Sequence, residues 1–372
     1  MIFLRFWRKL NTGIKVFSLI VIVLAILYAL LVVSIWPENY FWVDRKDATM
    51  PVWVRGNIDS GVFIVFNHGG PGSCGTLESL IEVNPGNGQL DHPSPLKLFE
   101  DEYAMVYWDQ RHSGMSKGSA DPNDSRLEDF GEDLALVIDE LNKHYDVQKL
   151  FLIGQSWGHT VATSYLTYVN QWQENQANID GYIIYKGNHA QDMAYQAAKP
   201  RILNYAEKEI SEERDILYWQ EARDYYQNHA TLTEASDFMI HDDYVSRVMG
   251  VSISIGDRII SSTKASFCSP FNGFRFYFNN RATMKAEEFL SWVVSGNDLE
   301  LTINRITIPT LLIYGGKDLI APVEVGENIY NEIETAEQDK TLIILENSRH
   351  GAENNDVEVF QEAIRGFLEQ YR

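Results

Sequence analysis

The chain is poor in cysteine. Only Cys74 and Cys268 occur in 372 residues, which excludes a disulfide scaffold and any multi-cysteine zinc or iron–sulfur site. It is also poor in positive charge. Lys and Arg number 31 against 52 Asp and Glu, for a net charge of −21. Such an acidic chain is a poor partner for phosphate backbones, which argues against nucleic-acid binding. There is no internal repeat and no low-complexity tract. What is present is a globular composition, 45% hydrophobic and 12% aromatic. The length suits two average domains or one large α/β domain with an insertion.

The scarce basic residues are unevenly spread. Residues 1–36 hold Arg5, Arg8, Lys9 and Lys15 and no acid, so the remainder carries −25, the chain's −21 less these four cations. Within that end, Val16–Trp36 is 21 residues long and uncharged. At about 1.5 Å per residue it matches the roughly 30 Å hydrocarbon core of a bilayer. It is longer than the apolar stretch of a signal peptide and ends in Ser-Ile-Trp-Pro, not Ala-x-Ala. The expectation is a single transmembrane helix over residues 16–36, with Trp7 and Trp36 at its interfaces. The cationic N-terminus would be cytoplasmic and the C-terminal body extracytoplasmic.

Beyond that end, strand-like runs alternate with helical ones. Val52–Arg55, Val62–Asn67, Ala104–Asp109, Leu150–Gly154 and Ile179–Tyr185 read as strands, and Thr310–Tyr314 and Lys340–Leu345 resume the pattern. Helical spacing appears over Ser125–His144, Gly158–Tyr168, Val323–Glu334 and Val357–Tyr371. This alternation predicts an α/β fold with a mostly parallel sheet flanked by helices. From about Gly187 to Asn304 it breaks. That stretch is rich in Tyr, Phe, Glu and Asp, with helix-like Pro200–Glu213 and Ile216–Asn228. The expected organisation is a tail and anchor over 1–36, a first core part over 37–186, an inserted helical lid over 187–304 and a second core part over 305–372. Asn84-Pro-Gly-Asn-Gly reads as a surface loop.

Chemistry concentrates in three places. Gly154-Gln155-Ser156-Trp157-Gly158 follows an apolar strand and precedes a helix, the setting of a G-x-S-x-G nucleophile elbow. Gly154 and Gly158 leave room for the tight turn. A serine hydroxyl needs a base, and the base needs an orienting group. Asp318 stands just past a strand end, and His350 is the last of nine histidines, in the loop after the last strand. Alone, Asp318 reads equally as a turn or cap residue and His350 as a loop residue. In the order Ser, Asp, His behind an elbow they read as a triad. The third place is His68-Gly69-Gly70-Pro71-Gly72, directly after Val62–Asn67. Its glycines free backbone N–H groups to face a substrate oxygen. The N–H groups of Gly70 and Trp157 are the candidate oxyanion donors, and losing one such donor typically costs about 3–4 kcal/mol. A glycine-rich turn is the plain alternative. A Walker phosphate loop is excluded because Gly-Lys-Ser/Thr is missing.

Together these segments resemble the α/β-hydrolase superfamily and, within it, the proline iminopeptidase-like serine peptidases. The resemblance rests on His68–Gly72, on Asp109-Gln110-Arg111-His112-Ser113-Gly114-Met115-Ser116 and on the Ser156-Trp157-Gly158 elbow. It covers roughly residues 50–186 and 305–372. It implies removal of an N-terminal residue, often proline, from a peptide or amide. Ser156 would be the nucleophile, His350 the base then acid, and Asp318 the orienting carboxylate, with no metal and no organic cofactor. It also implies lid acids that hold the substrate's α-amino group, for which Glu207, Glu209, Glu212, Glu213 and Glu221 are candidates. Two residues depart from the family pattern, His112 and His159, both candidates for the pocket wall. Arg111 reads as a structural ion pair or a bridge between carboxylates. Cys74 and Cys268 read either as a disulfide or as two thiols.

Three functions compete. The first is a membrane-anchored aminopeptidase of the proline iminopeptidase type. The second is a carboxylesterase, lipase-like enzyme or amide hydrolase with the same triad. The third is a non-catalytic receptor or scaffold. The expected partners are a small peptide, amide or ester and, through residues 16–36, a lipid bilayer.

Overall fold

The computed structural model describes residues 12–34, 39–76, 78, 94–250, 274–283, 285–294, 302–350 and 356–372. The strands are β1 (Tyr40–Arg45), β2 (Ala48–Gly56), β3 (Val62–Asn67), β4 (Ala104–Trp108), β5 (Lys117–Gly118), β6 (Lys149–Gln155), β7 (Gly181–Tyr185), β8 (Thr310–Gly315) and β9 (Lys340–Leu345). They form one mixed sheet in the order β1-β2-β4-β3-β6-β7-β8-β9, with β5 paired to β2. β1, β2 and β4 pair antiparallel, and every pairing from β4 through β9 is parallel. The sequence explains the difference. β3, β4, β7 and β8 are buried at every residue and apolar apart from Asn67 and Thr310 at strand ends, as strands covered on both faces must be. β1 alternates exposure, as an edge strand does.

The helices are α1 (Thr12–Ser34), α2 (Leu127–His144), α3 (Trp157–Thr167), α4 (Trp172–Ala177), α5 (Gln191–Ser211), α6 (Ile216–Asn228), α7 (Ala235–Met249), α8 (Phe274–Thr283), α9 (Glu287–Val294), α10 (Val323–Glu332) and α11 (Val357–Tyr371). α2 buries Leu127, Phe130, Leu134, Val137, Ile138 and Leu141, its 3.6-residue stripe, against one sheet face. α3 and α10 share that face. α11 covers the other with Phe360, Ile364, Phe367 and Leu368. Between β7 and β8, α5, α6 and α7 build a separate aromatic core around Tyr195, Trp219, Tyr226 and Tyr244.

Three readings are corrected. First, among the described residues no helix is long and apolar enough to cross a membrane. α1 does form, over Thr12–Ser34. The transmembrane helix over 16–36 is thereby overturned. The bilayer contact, the cytoplasmic N-terminus and the extracytoplasmic body were inferred from it and lose their basis. Second, the helix expected from Pro200 begins at Gln191 and runs through Pro200. Ala194, Tyr195 and Ala198 are buried ahead of the proline, so packing holds the turn that a proline weakens. Third, β1 was not read as a strand, because its pairing depends on β2 and not on its own pattern. The Asn84–Gly88 loop and Cys268 lie outside the described residues.

Candidate active site

Parallel strands bring the chemistry to one edge. β6 delivers Ser156, β8 delivers Asp318 and β9 delivers His350, each just beyond its strand's C-terminal end. Open α/β sheets place their ligands at this edge. Ser156 sits at φ 51°, ψ −120°, a strained conformation for a non-glycine residue. Its N–H is tied to Tyr185 O at 3.0 Å and its C=O accepts from His159 N at 2.9 Å. The glycines of the elbow are there for space. A Cβ on Gly158 would stand 1.9 Å from Asn67 O, and one on Gly154 would stand 2.7 Å from the His159 Cα.

Ser156 Oγ lies 3.2 Å from His350 Nε2, and His350 Nδ1 lies 2.7 Å from Asp318 Oδ2. Asp318 is fully buried, and its other oxygen accepts from Ile320 N at 2.8 Å and Ala321 N at 3.1 Å. These backbone donors hold the carboxylate in place, so the histidine faces a fixed acceptor. Behind it lies Lys186, also buried. Burial pulls its ammonium down to about 8, while Asp318 and Glu78 oppose the shift.

The His68–Gly72 loop runs past the serine. A Cβ on Gly69 would lie 3.3 Å from the Ser156 Cβ, and Gly70 has φ +136°. Gly70, Pro71, Ser156 and Trp157 share the wall of one cleft with about 820 Å³ of empty space, open solvent included. His68 Nδ1–H donates to Gly69 O at 2.7 Å, leaving Nε2 to accept from Gln110 N at 3.2 Å. This is a neutral ring, in keeping with burial lowering its pKa.

The two departing histidines lie elsewhere. His112 bonds Ser125 Oγ at 2.7 Å and lines a separate shallow cleft beside Lys117 and Asn279. His159 is buried in the first turn of α3, 2.8 Å from Tyr182 Oη, and burial holds its pKa well below the usual value. Neither lines the Ser156 cleft. Arg111 pairs with buried Asp133 at 2.6 and 2.8 Å, a structural ion pair under α2. Cys74 donates to Asp109 Oδ1 at 3.3 Å.

The far wall of the cleft comes from α5, α7 and α9, through Ala194, Tyr195, Phe238, His241, Val245, Leu290 and Val293. Among them stands a carboxylate that sequence reading missed, Asp242, half-buried on α7. Burial raises its pKa, His350 lowers it and Asp243 raises it again. It has no hydrogen-bond or ion-pair partner among the described residues. The five glutamates first considered are not on this wall. Glu209 is paired with Arg214 at 2.7 Å, and Glu207, Glu212, Glu213 and Glu221 are exposed. A sequence signal for Asp242 did exist. Phe238, His241, Asp242 and Val245 fall at helical i, i+3, i+4, i+7 spacing, which sets one acid on an otherwise apolar face.

The strand order and the strained serine turn define an α/β-hydrolase. Residues 91–232 match a family model described as "Serine aminopeptidase, S33". The chain is 26% identical over 305 residues to the "Probable aminopeptidase YbaC" of Bacillus subtilis, covering 77% of this chain and 82% of that one. It is 32% identical over 114 residues to a proline iminopeptidase of Arabidopsis thaliana, 30% of this chain and 25% of the other. The solved proline iminopeptidase of Mycobacterium smegmatis has a similar fold, with TM-score 0.53 and 15% identity over 90% of this chain and 98% of that one. The chain therefore resembles the peptidase-like α/β-hydrolases. It is a hydrolase with aminopeptidase- and esterase-like relatives.

Proposed function

We propose that this hydrolase is a serine aminopeptidase that removes an N-terminal residue from small peptides or amides. The observation that carries the reading is Asp242. A partnerless carboxylate faces the same cleft as the serine, on a wall otherwise mostly apolar. A carboxylate so placed suits a substrate's free ammonium, because desolvation strengthens the pair once the ligand fills the cleft. In the proposed cycle, His350 Nε2 takes the Ser156 proton as Oγ attacks the carbonyl. The oxyanion forms against the N–H groups of Gly70 and Trp157. The protonated imidazole, held by Asp318, gives its proton to the leaving amine. Water then repeats the sequence on the acyl-enzyme, with His350 again as base.

The apolar residues Leu232, Phe238, Val245, Leu290 and Val293 suit an apolar N-terminal side chain such as proline. The test is turnover of prolyl-, alanyl- and leucyl-arylamides, their N-acetylated forms and short aryl esters, with Ser156→Ala as control. Cleavage that requires the free amine is expected. Equal turnover of blocked substrates, or a preference for esters, would replace this reading with the carboxylesterase one. Absence of labelling by a fluorophosphonate would remove the enzyme reading altogether.

A further inference from the structure

Two loops contribute the proposed oxyanion donors. Gly70 follows β3 and Trp157 follows β6, so the distance between their N–H groups depends on whatever links the two turns. β3 and β6 are hydrogen-bonded neighbours only as far as Asn67 opposite Gly154. Beyond that pair the ladder cannot fix the loops. One side chain from a third segment spans the gap. Gln110, fully buried just after β4, donates from Nε2 to His68 O at 2.9 Å and accepts at Oε1 from the Trp157 indole Nε1 at 3.0 Å. Its own N–H donates to His68 Nε2 at 3.2 Å, and its C=O accepts from Ser116 Oγ at 2.8 Å. The amide orientation is fixed by chemistry. Turned over, its NH₂ would face the indole N–H and its oxygen the carbonyl of His68, so both bonds would be lost.

The neighbouring Asp109 fastens the other end of the same loop. Its carboxylate accepts from Thr76 N at 2.8 Å and Met115 N at 2.7 Å. Trp157 packs in T-shaped contacts with Phe130 and Phe289, with centroids 5.4 and 5.9 Å away. Rings can slide in such packing. The indole N–H bond to Gln110 fixes its register.

We propose that Gln110 is a positioning residue that sets the spacing between the Gly70 and Trp157 oxyanion donors by bridging the His68 loop to the elbow. The proposal rests on the serine-hydrolase reading above. A ground-state carbonyl tolerates loose donors, whereas the tetrahedral oxyanion needs both at hydrogen-bond distance. Loss of the bridge should therefore act on kcat rather than KM.

The experiment compares the full chain with Gln110→Leu, Gln110→Glu and Trp157→Phe. It uses the arylamide the wild type turns over and the matching aminoacyl boronic acid, whose adduct with Ser156 mimics the oxyanion. For Gln110→Leu the expected result is a fall in kcat of roughly 10- to 100-fold, with KM within about twofold. Boronate affinity should fall by the same factor, with complete end-point labelling by a fluorophosphonate. Gln110→Glu keeps the acceptor for Trp157 and loses the donor to His68. Trp157→Phe loses only the indole bond. Each should show a smaller loss of the same kind, and these two carry the test if the leucine variant does not fold. Folded variants that keep kcat and boronate affinity within about threefold, or that raise KM alone, would overturn the proposal. A wild-type chain that neither turns over substrate nor labels would bring down the underlying reading, and the proposal with it.

Discussion

The two walls of the cleft are made in different ways. One wall is the edge of the sheet. Its reactive side chains leave the ends of β6, β8 and β9, and backbone hydrogen bonds fix them at Ser156 and Asp318. The other wall is the packed helices α5 and α7, joined by α9. There the order comes from Tyr195, Trp219, Tyr226 and Tyr244 against one another, with no ladder beneath them. The first wall suits bond-making, where small displacements are costly. The second suits selection, since a helix face can change one residue without disturbing a ladder. On the proposed reading, rate belongs to the sheet and substrate choice to the helices.

The largest expected effect lies on the sheet side. Ser156→Ala should lower kcat by about 10⁴–10⁶, measured on an arylamide under saturating substrate. Asp318→Asn should follow at about 10⁴, because the amide presents a donor where His350 Nδ1–H needs an acceptor. If either variant changed KM and spared kcat, the sheet wall would be doing the selecting.

On the helix side, Asp242→Asn should lower kcat/KM for free-amine substrates by roughly 10², with N-blocked substrates changed by about twofold or less. Equal losses for both substrate types would show that Asp242 acts on the reaction and not on the amine. The same carboxylate has a pH signature. Burial raises its pKa, so it protonates above the usual carboxylate range as pH falls. A neutral acid cannot pair an ammonium. Relative to N-blocked substrates, which share the requirement for a neutral His350, free-amine turnover should therefore lose up to about a further tenfold per pH unit below that point, and Asp242→Asn should abolish that difference.

The smallest effect is on stability. Burial holds His189 and His241 at about 4, below the ordinary 6.5. The unfolded chain binds more protons across this interval, so stability is full above pH 6.5 and is lost as pH falls through about 4. The slope should be on the order of 1 kcal/mol per histidine per pH unit, seen as a falling Tm. His241→Asn should flatten the curve by one histidine's share.

Legibility followed the same division. Strands β3, β4, β6 and β8 were readable because a run buried on both faces must be almost wholly apolar, and the edge strand β9 because its Leu342–Leu345 run is apolar too. Ser156, Asp318 and His350 were readable because short loops after such strands carry few residues, and their order is characteristic. Asp242 does not stand out in the sequence because the acids around it are more numerous on the water-facing sides of α5 and α6, where Glu207, Glu212, Glu213 and Glu221 are exposed. Gln110 was visible inside a motif, but its two bonds join segments 42 and 47 residues away. The run from Val16 to Trp36 was misjudged for another reason. Hydropathy counts apolar residues along the chain, while a span requires a single helix that is both long and apolar enough, and none of the described residues form one.

The sequence by itself determined which segments become buried strands, where the strained serine turn falls, and the acidic balance that disfavours nucleic acid. These depend on local spacing, on glycine where a Cβ cannot fit, and on charge, all of which are properties of the chain alone. Only the tertiary structure decided which acid faces the cleft, which histidines stay out of it, and how Gln110 joins two turns from neighbouring strands. Such facts depend on distances between segments far apart in the chain, and packing, not pattern, sets those distances.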